Sequence, residues 1–193
     1  MNNIPNILTI LRIILSPIFL VLFFSEHLVL RSLSVVVFTI AALTDFFDGY
    51  FARKYKVRSE FGNFLDPLAD KILTFAGFFA FSYLRPDLFP WWALGVIIGR
   101  DFLITGLRII AKRNAKSLET SASAKLKTAV QMVFIYIGLL SFLGLTIPLY
   151  ADYFTTYLFE SSVLFWLYMI VMMFTAYTGI EYLLKNKHVF RKD

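Results

Sequence analysis

Four aspartates within one short stretch are the side chains of this sequence best suited to chemistry: Asp45, Asp48, Asp66 and Asp70. The first two are three residues apart and the last two are four apart, so on helices each pair would share a face. Like charges placed this close must bind protons or cations. Oxygen ligands without nearby His or Cys favour Mg²⁺ or Mn²⁺, and two such ions suit phosphoryl transfer. The stretch therefore predicts a site for two divalent cations.

Simpler structural roles exist for single residues of this stretch. Asp66 precedes Pro67 and could be only a helix N-cap, while Asp48 and Gly49 could form a turn. Gly49 and Ala52 could be small only to let helices pack. None of these roles explains four aspartates together with the neighbouring Gly, Ala and Arg residues, so we prefer the functional interpretation.

The elements that would position these aspartates are membrane-spanning helices. Of the 193 residues, 59% are hydrophobic and 17% are charged, which is too apolar for a soluble domain of this size. A bilayer is crossed by about 20 apolar residues. Six stretches are long enough: 6–25, 32–52, 66–84, 91–111, 126–148 and 160–184. We predict an all-α, polytopic membrane protein with six transmembrane helices and a single domain over 1–193.

The basic residues predict which ends of the spans face the cytoplasm. Thirteen of the 19 Lys and Arg residues fall in the loops after the second and fourth spans and in the C-terminal tail. By the positive-inside rule both termini are then cytoplasmic, in a cell (inner) membrane, and the aspartates lie at the cytoplasmic face. The polar opening at 2–6 would lie along the interface. The net charge of +6 is thereby explained by topology and anionic lipid, so we predict no nucleic-acid partner.

The spacing of the aspartates and their neighbours resembles the signature of the CDP-alcohol phosphatidyltransferases. Every fixed position of that signature is present: Asp45, Asp48, Gly49, Ala52, Arg53, Gly62, Asp66 and Asp70. Segments 3–12, 99–108 and 125–132 further resemble the bacterial members that make phosphatidylglycerophosphate. Together these segments extend the resemblance over most of 1–132. From about residue 134 onwards we identify no residues with a chemical role.

The resemblance implies a role for each residue of the signature. The metal ligands would be Asp45, Asp48 and Asp66, with Asp70 completing the set. Asp70 would also act as general base on the acceptor hydroxyl. Close approach of the cytidine nucleotide would be allowed by Gly49, Ala52 and Gly62. Arg53 would hold the diphosphate, for which a guanidinium is well suited. The implied donor is CDP-diacylglycerol, drawn from the membrane lipids, and the implied assembly is a homodimer.

Basic residues outside the signature bear on the identity of the acceptor. Arg100 and Arg108 fall inside the fourth span, and Lys125 and Lys127 begin the fifth at the same predicted end. Such a group suits a doubly charged phosphate, which favours glycerol 3-phosphate, and the resemblance favours it too. A structural ion pair between Asp101 and Arg108 is the open alternative, and it would leave Arg100 unpaired.

Two further residues and two rival functions complete the expectations. Thr9 and Arg12 on the first helix would reach the CDP-diacylglycerol site, unless Arg12 instead snorkels to the interface. The same chemistry could use another acceptor: phosphatidylglycerol, serine or inositol phosphate. A divalent-cation transporter could use the four aspartates as a binding ring. That rival explains neither Arg53 nor a cluster confined to one membrane face.

Overall fold

The structure, a computed structural model, describes the backbone of residues 4–55, 60–113 and 122–187. Side chains are described for residues 7–44, 69, 71–111 and 123–187. Within those backbone ranges the chain is almost wholly helical and contains no strand. The all-α class predicted from the sequence is therefore confirmed.

Five long helices are followed by an irregular region and a final long helix. The long helices are α1 (Ile4–Phe23), α2 (Leu28–Tyr55), α3 (Glu60–Leu84), α4 (Trp91–Arg113) and α5 (Ala122–Leu145). A one-turn helix α6 (Ala151–Phe154) passes into a π-helical segment (Thr155–Glu160), and α7 covers Val163–Lys185. Between the last two, Ser162 has a φ of 61° and turns the chain.

The six predicted spans correspond to α1–α5 and α7, with shifted bounds. The third helix begins at Glu60 instead of 66, and the last begins at Val163 instead of 160. Among the described residues, two helices are long and apolar enough to cross a membrane, Ser123–Leu145 and Val163–Lys185. Three shorter apolar helices are Ile7–Phe23, Leu28–Thr44 and Lys71–Leu84. The count of six spans and the orientation of the termini remain predictions.

Stacked aromatic rings form the core that joins the helices. Phe81 of α3 lies 5.6 Å from Phe142 of α5, with ring planes 14° apart. Phe134 of α5 stacks on Tyr168 of α7 at 5.7 Å. Phe23 of α1 meets Phe142 edge to face, also at 5.6 Å. Aromatic pairs at these separations add attraction to the burial of their large apolar area, so the rings hold α1, α3, α5 and α7 together.

Helices α3 and α5 approach closely because glycines face the core. An added Cβ at Gly138 would lie 2.4 Å from Cζ of Phe81, and one at Gly77 would lie 3.0 Å from Cγ2 of Ile135. Any larger residue at Gly138 would therefore have to displace a ring of the aromatic core. Small residues at such positions are typical of helices packed inside a membrane.

The bundle also carries large apolar side chains on its outside. Val21 of α1 is 74% exposed, Val133 of α5 is 60% exposed and Trp166 of α7 is 63% exposed. Soluble monomers rarely expose extended apolar surface. An apolar exterior of this kind is what a lipid-facing bundle requires.

The connection between α3 and α4 is fixed by Arg85. Its Nη2 donates to Asp87 Oδ2 at 2.7 Å, and its guanidinium carbon lies 5.3 Å from the ring centroid of Phe159 in the π-helical segment. The hydrogen bonds from Arg85 lower the pKa of Asp87. Since both side chains are exposed, the ion pair contributes little stability, and its main effect is to locate the loop.

Gly138→Ala should lower the free energy of unfolding by about 1–3 kcal/mol, because the added methyl overpacks the contact with Phe81. We expect a lower midpoint of thermal unfolding in detergent. Gly95→Ala is the matched control, since an added Cβ there has nothing within 4 Å. Equal midpoints for the two variants would contradict the packing described for α3 and α5.

Candidate active site

The four predicted metal ligands lie on helical backbone: Asp45 and Asp48 on α2, Asp66 and Asp70 on α3. In sequence, only residues 56–59 separate these two helices. Asp66 lies six residues inside α3, so the interpretation of Asp66 as an N-cap is wrong. Gly49 lies six residues before the end of α2, so the turn interpretation of Asp48 and Gly49 is wrong as well.

The side chains of the signature lie outside the described residues. This applies to the four aspartates and to the four positions predicted to bind the donor: Gly49, Ala52, Arg53 and Gly62. Among the side chains that the structure describes, no three His, Cys, Asp or Glu residues form a group that could hold a metal ion. The donor set itself fits hard cations, because it offers four carboxylates and no sulfur or imidazole ligand.

Helix α1 brings buried polar side chains to the start of the signature. Arg12 is 1% exposed, and its Nε donates to Oγ1 of Thr44 at 3.5 Å. Thr44 directly precedes Asp45, so the guanidinium lies beside the first residue of the signature. Thr9 is fully buried one turn earlier. The snorkelling interpretation of Arg12 is therefore wrong, since the side chain points into the bundle.

Asp101 is the centre of a buried ion-pair group that we call the Asp101 cluster: Lys71, Arg100, Asp101 and Lys127. Lys127 Nζ donates to both carboxylate oxygens at 2.7 and 2.8 Å, and Arg100 Nη1 donates to Oδ1 at 3.0 Å. Lys71 Nζ lies 4.0 Å from Oδ2. Lys127 and Asp101 are 2% and 5% exposed. The cluster ties α3, α4 and α5 together at the residue that follows Asp70.

The expected alternative pairing of Asp101 with Arg108 is wrong. Lys127 reaches both oxygens of Asp101 from α5, and Arg100 bonds the same carboxylate instead of being unpaired. Arg108 instead contacts Tyr182 of α7. Its Nε donates to the phenol oxygen at 3.4 Å, and its guanidinium carbon lies 5.2 Å from the ring centroid.

The four basic residues predicted to bind the acceptor are thus only partly brought together. Arg100 and Lys127 share the carboxylate of Asp101, and Arg108 lies further along α4 against α7. Lys125 is exposed, and it precedes Lys127 by two residues, which turns it to another side of α5. The structure therefore does not place Lys125 in the cluster.

Residues of α7 contact two of the predicted acceptor-binding arginines, although the sequence analysis identified no residue with a chemical role after about residue 134. An added Cβ at Gly179 would lie 2.8 Å from Cγ of Arg100, and Tyr182 lies against Arg108. The buried Gln131 donates from Nε2 to Oγ1 of Thr175 at 3.1 Å, which fixes α7 against α5. The sequence did contain one signal for these contacts, which is the run of polar residues near the end of the otherwise apolar helix α7.

The cluster offers hydrogen-bond donors to an anion. Within the described part of the chain, Nε and Nη2 of Arg100 are buried and lack a hydrogen-bond partner. Leaving such donors unsatisfied costs about 1–3 kcal/mol each, more when charged, and an anionic ligand would remove that cost. An arginine suits bidentate contact with a phosphate, and a neighbouring lysine adds a point charge.

Comparison with known proteins gives consistent matches over most of the chain. A family model described as CDP-alcohol phosphatidyltransferase matches residues 2–177. A CDP-diacylglycerol–glycerol-3-phosphate 3-phosphatidyltransferase of Rickettsia typhi is 36% identical, covering 98% of this chain and 100% of the relative. A Bacillus subtilis protein of the same name is 33% identical, with 96% of each chain covered. A probable phosphatidylglycerophosphate synthase of Mycobacterium tuberculosis is 39% identical, covering 74% of this chain and 68% of the relative.

Asp101→Leu should destabilise the protein by about 3–5 kcal/mol, because it leaves Lys127 and Arg100 buried without a counter-charge. Combining it with Lys127→Met should recover part of the loss, since one of the unpaired charges is removed. Thermal unfolding of the wild type, both single variants and the double variant in detergent measures this coupling. Additive effects of the two substitutions would show that the ion pair is not formed.

Proposed function

The chain belongs to the CDP-alcohol phosphatidyltransferase family, and we propose that it transfers the phosphatidyl group of CDP-diacylglycerol to sn-glycerol 3-phosphate. The products are phosphatidylglycerophosphate and CMP, a step of phospholipid biosynthesis. Relatives named for this reaction match the chain almost from end to end, and this is the observation that carries the proposal. The Asp101 cluster supports the acceptor, because it is a buried basic group beside Asp70.

The apolar exterior of the bundle supports a place in the membrane. We infer six spans, both termini in the cytoplasm and an active site that opens to the cytoplasmic leaflet of the inner membrane. The excess of basic residues in the cytoplasmic loops supports this orientation. The lipid donor would then enter sideways from the bilayer, and the soluble acceptor would enter from the cytoplasm. A homodimer is the assembly that the family resemblance implies.

The aspartates of the signature would hold the metal ions. Asp45, Asp48, Asp66 and Asp70 supply hard oxygen ligands for two Mg²⁺ or Mn²⁺ ions, whose charge would stabilise the phosphoryl oxygens of the transition state. Arg53 would bind the diphosphate of the donor. Gly49, Ala52 and Gly62 would leave room for the cytidine base. Thr9 and Arg12 of α1 would support the donor site from the neighbouring helix, because Arg12 is bonded to Thr44.

Asp70 would start the reaction by taking the proton from the 1-hydroxyl of glycerol 3-phosphate. The oxygen then bonds to the phosphorus that carries diacylglycerol, and the bond from this phosphorus to the CMP oxygen breaks. CMP leaves with the electron pair of that bond. Positioning and charge stabilisation supply most of the rate enhancement in such transfers, so the basic residues matter as much as the base.

The acceptor phosphate would be bound by Arg100, Arg108 and Lys127. Lys71 follows Asp70 in α3, and its Nζ lies 4.0 Å from Oδ2 of Asp101. Lys71 therefore links the Asp101 cluster to the proposed general base. A phosphate bound there would place the other end of a three-carbon acceptor toward Asp70. Lys125 would act on the acceptor from the surface, through its charge only.

The two rival functions are weaker against these observations. Another acceptor with a phosphate monoester, such as inositol phosphate, could also use the Asp101 cluster, but the relatives that match nearly the whole chain are named for glycerol 3-phosphate. A divalent-cation transporter needs neither Arg53 nor a buried basic group beside the aspartates. The family match also supports a transferase.

Asp70→Asn should abolish the transfer, with a loss of at least about a hundredfold in kcat, because the amide cannot accept the proton. Purified protein in detergent would be given CDP-diacylglycerol, Mg²⁺ and labelled glycerol 3-phosphate, and both labelled lipid and CMP would be followed. Asp152→Asn, at an exposed position of α6, is the matched control and should keep wild-type activity. Release of CMP only with a different acceptor would keep the family chemistry and refute the proposed acceptor.

Removal of divalent cations should also stop the reaction, because the four carboxylates would repel one another and the diphosphate. Chelator should abolish CMP release, and either Mg²⁺ or Mn²⁺ should restore it. Asp45→Asn should shift the metal concentration needed for half-maximal activity upwards by about tenfold or more, since one charged ligand is lost. Full activity in chelator would overturn the two-metal site.

A further inference from the structure

Helix α7 contacts Arg100 and Arg108, the two arginines that are predicted to bind the acceptor. Arg100 and Arg108 are separated by about 12 Å along the axis of α4, since each residue of a helix rises about 1.5 Å. Their contacts on α7 are Gly179 and Tyr182, which are three residues apart on one face and differ by only about 4.5 Å in height. The two long side chains therefore converge on a single turn of α7.

The absence of a side chain at Gly179 makes room for Arg100. A Cβ there would lie 2.8 Å from Cγ, 3.7 Å from Cδ and 3.5 Å from Nε of the arginine. Cγ is near the base of the side chain, so it can move away only if the whole arginine changes rotamer. Such a change would break the 3.0 Å bond from Nη1 to Asp101 and would redirect the buried Nε and Nη2.

Tyr182 holds Arg108 in two ways. Its phenol oxygen accepts from Nε, and its ring lies under the guanidinium. The ring is itself 1% exposed, so it is a fixed platform. The bond from Nε to the phenol oxygen and the contact of the guanidinium with the ring fix the orientation of the arginine, and with it the terminal Nη1 and Nη2. Those two groups are the ones that bind a phosphate bidentately.

We propose that Gly179 and Tyr182 are positioning residues for the acceptor phosphate, acting through Arg100 and Arg108. The inference rests on the proposed function and deepens it, because it gives α7 a part in the binding of a phosphate monoester. Neither residue touches the reacting atoms. Substitution of either residue should change the affinity for the acceptor. The donor site, which includes Arg53, should be unaffected.

Three variants test this: Tyr182→Phe, Tyr182→Leu and Gly179→Ala. Tyr182→Phe removes only the hydrogen-bond acceptor and should raise the KM for glycerol 3-phosphate by about two- to tenfold. Tyr182→Leu also removes the ring and should raise it by more than about tenfold. Gly179→Ala should raise it by about tenfold through the displaced Arg100. In each variant the KM for CDP-diacylglycerol should stay within about twofold of the wild type, because its site is untouched.

Tyr182→Phe and Gly179→Ala each have a matched control on the same or a neighbouring helix. Tyr177→Phe removes a phenol from an α7 residue that is 59% exposed. Gly106→Ala adds a methyl to α4 where nothing lies within 4 Å. Both should keep wild-type constants. Gly138→Ala disturbs packing far from the arginines, so it should lower the amount of active enzyme without changing the ratio of the two KM values.

The possible results separate the inference from the function on which it rests. Wild type that makes no lipid from glycerol 3-phosphate would refute the proposed acceptor and this inference with it. Active wild type, together with variants whose two KM values are unchanged or rise equally, would overturn the inference and leave the function standing. A selective rise for glycerol 3-phosphate in Tyr182→Phe, which keeps the ring and the packing, would establish the positioning role.

Discussion

The buried carboxylate of Asp101 is the constraint on which the functional half of this bundle depends. Removing a charge from water costs several kcal/mol, and one partner rarely compensates for that cost. Asp101 has Lys127, Arg100 and Lys71 around it, one from each of the helices α5, α4 and α3. These helices must therefore keep one register, because a shift by a turn would separate buried charges. That register also fixes Lys71, and with it the part of α3 that carries Asp70.

The opposite requirement, apolar packing, is met by rings and glycines. Phe81, Phe142, Phe134 and Tyr168 connect α3, α5 and α7 through stacked contacts, and Gly138 lets α5 approach Phe81. Inside a membrane the hydrophobic effect gives little net drive to helix association, so close packing and buried polar contacts must supply it. The aromatic core and the Asp101 cluster supply these two kinds of contact. Helix α7 contributes Tyr168 to the aromatic core, and its Gly179 packs against Arg100 of the cluster.

The sequence was sufficient to predict the long helices, because each contains a long apolar stretch. It was also sufficient to identify the signature, because its residues occur at a fixed spacing. It misplaced the start of α3, because Pro67 is a typical helix-opening residue and the polar residues before it resemble a loop. It also missed the partners of Asp101. Lys127 is 26 positions away and belongs to another helix, so only the packing of α4 against α5 brings the two together. Gly179 was invisible for a different reason: in an apolar helix a glycine indicates packing, and nothing in the sequence shows that an arginine fills the space.

Asp101 also bears on how the enzyme releases what it makes. In the proposed reaction the phosphate of the acceptor passes unchanged into the lipid product, so the group captured at the start of a cycle is still present at its end. If the basic side chains bound this phosphate with nothing competing for them, they would bind the product as tightly as the acceptor. Release of the product would then limit the rate. In that reaction Asp101 would compete for the same cations and would stay bonded to them when the phosphate leaves. The carboxylate would thereby limit how tightly the site binds phosphate, and it would keep the basic side chains in place for the next acceptor.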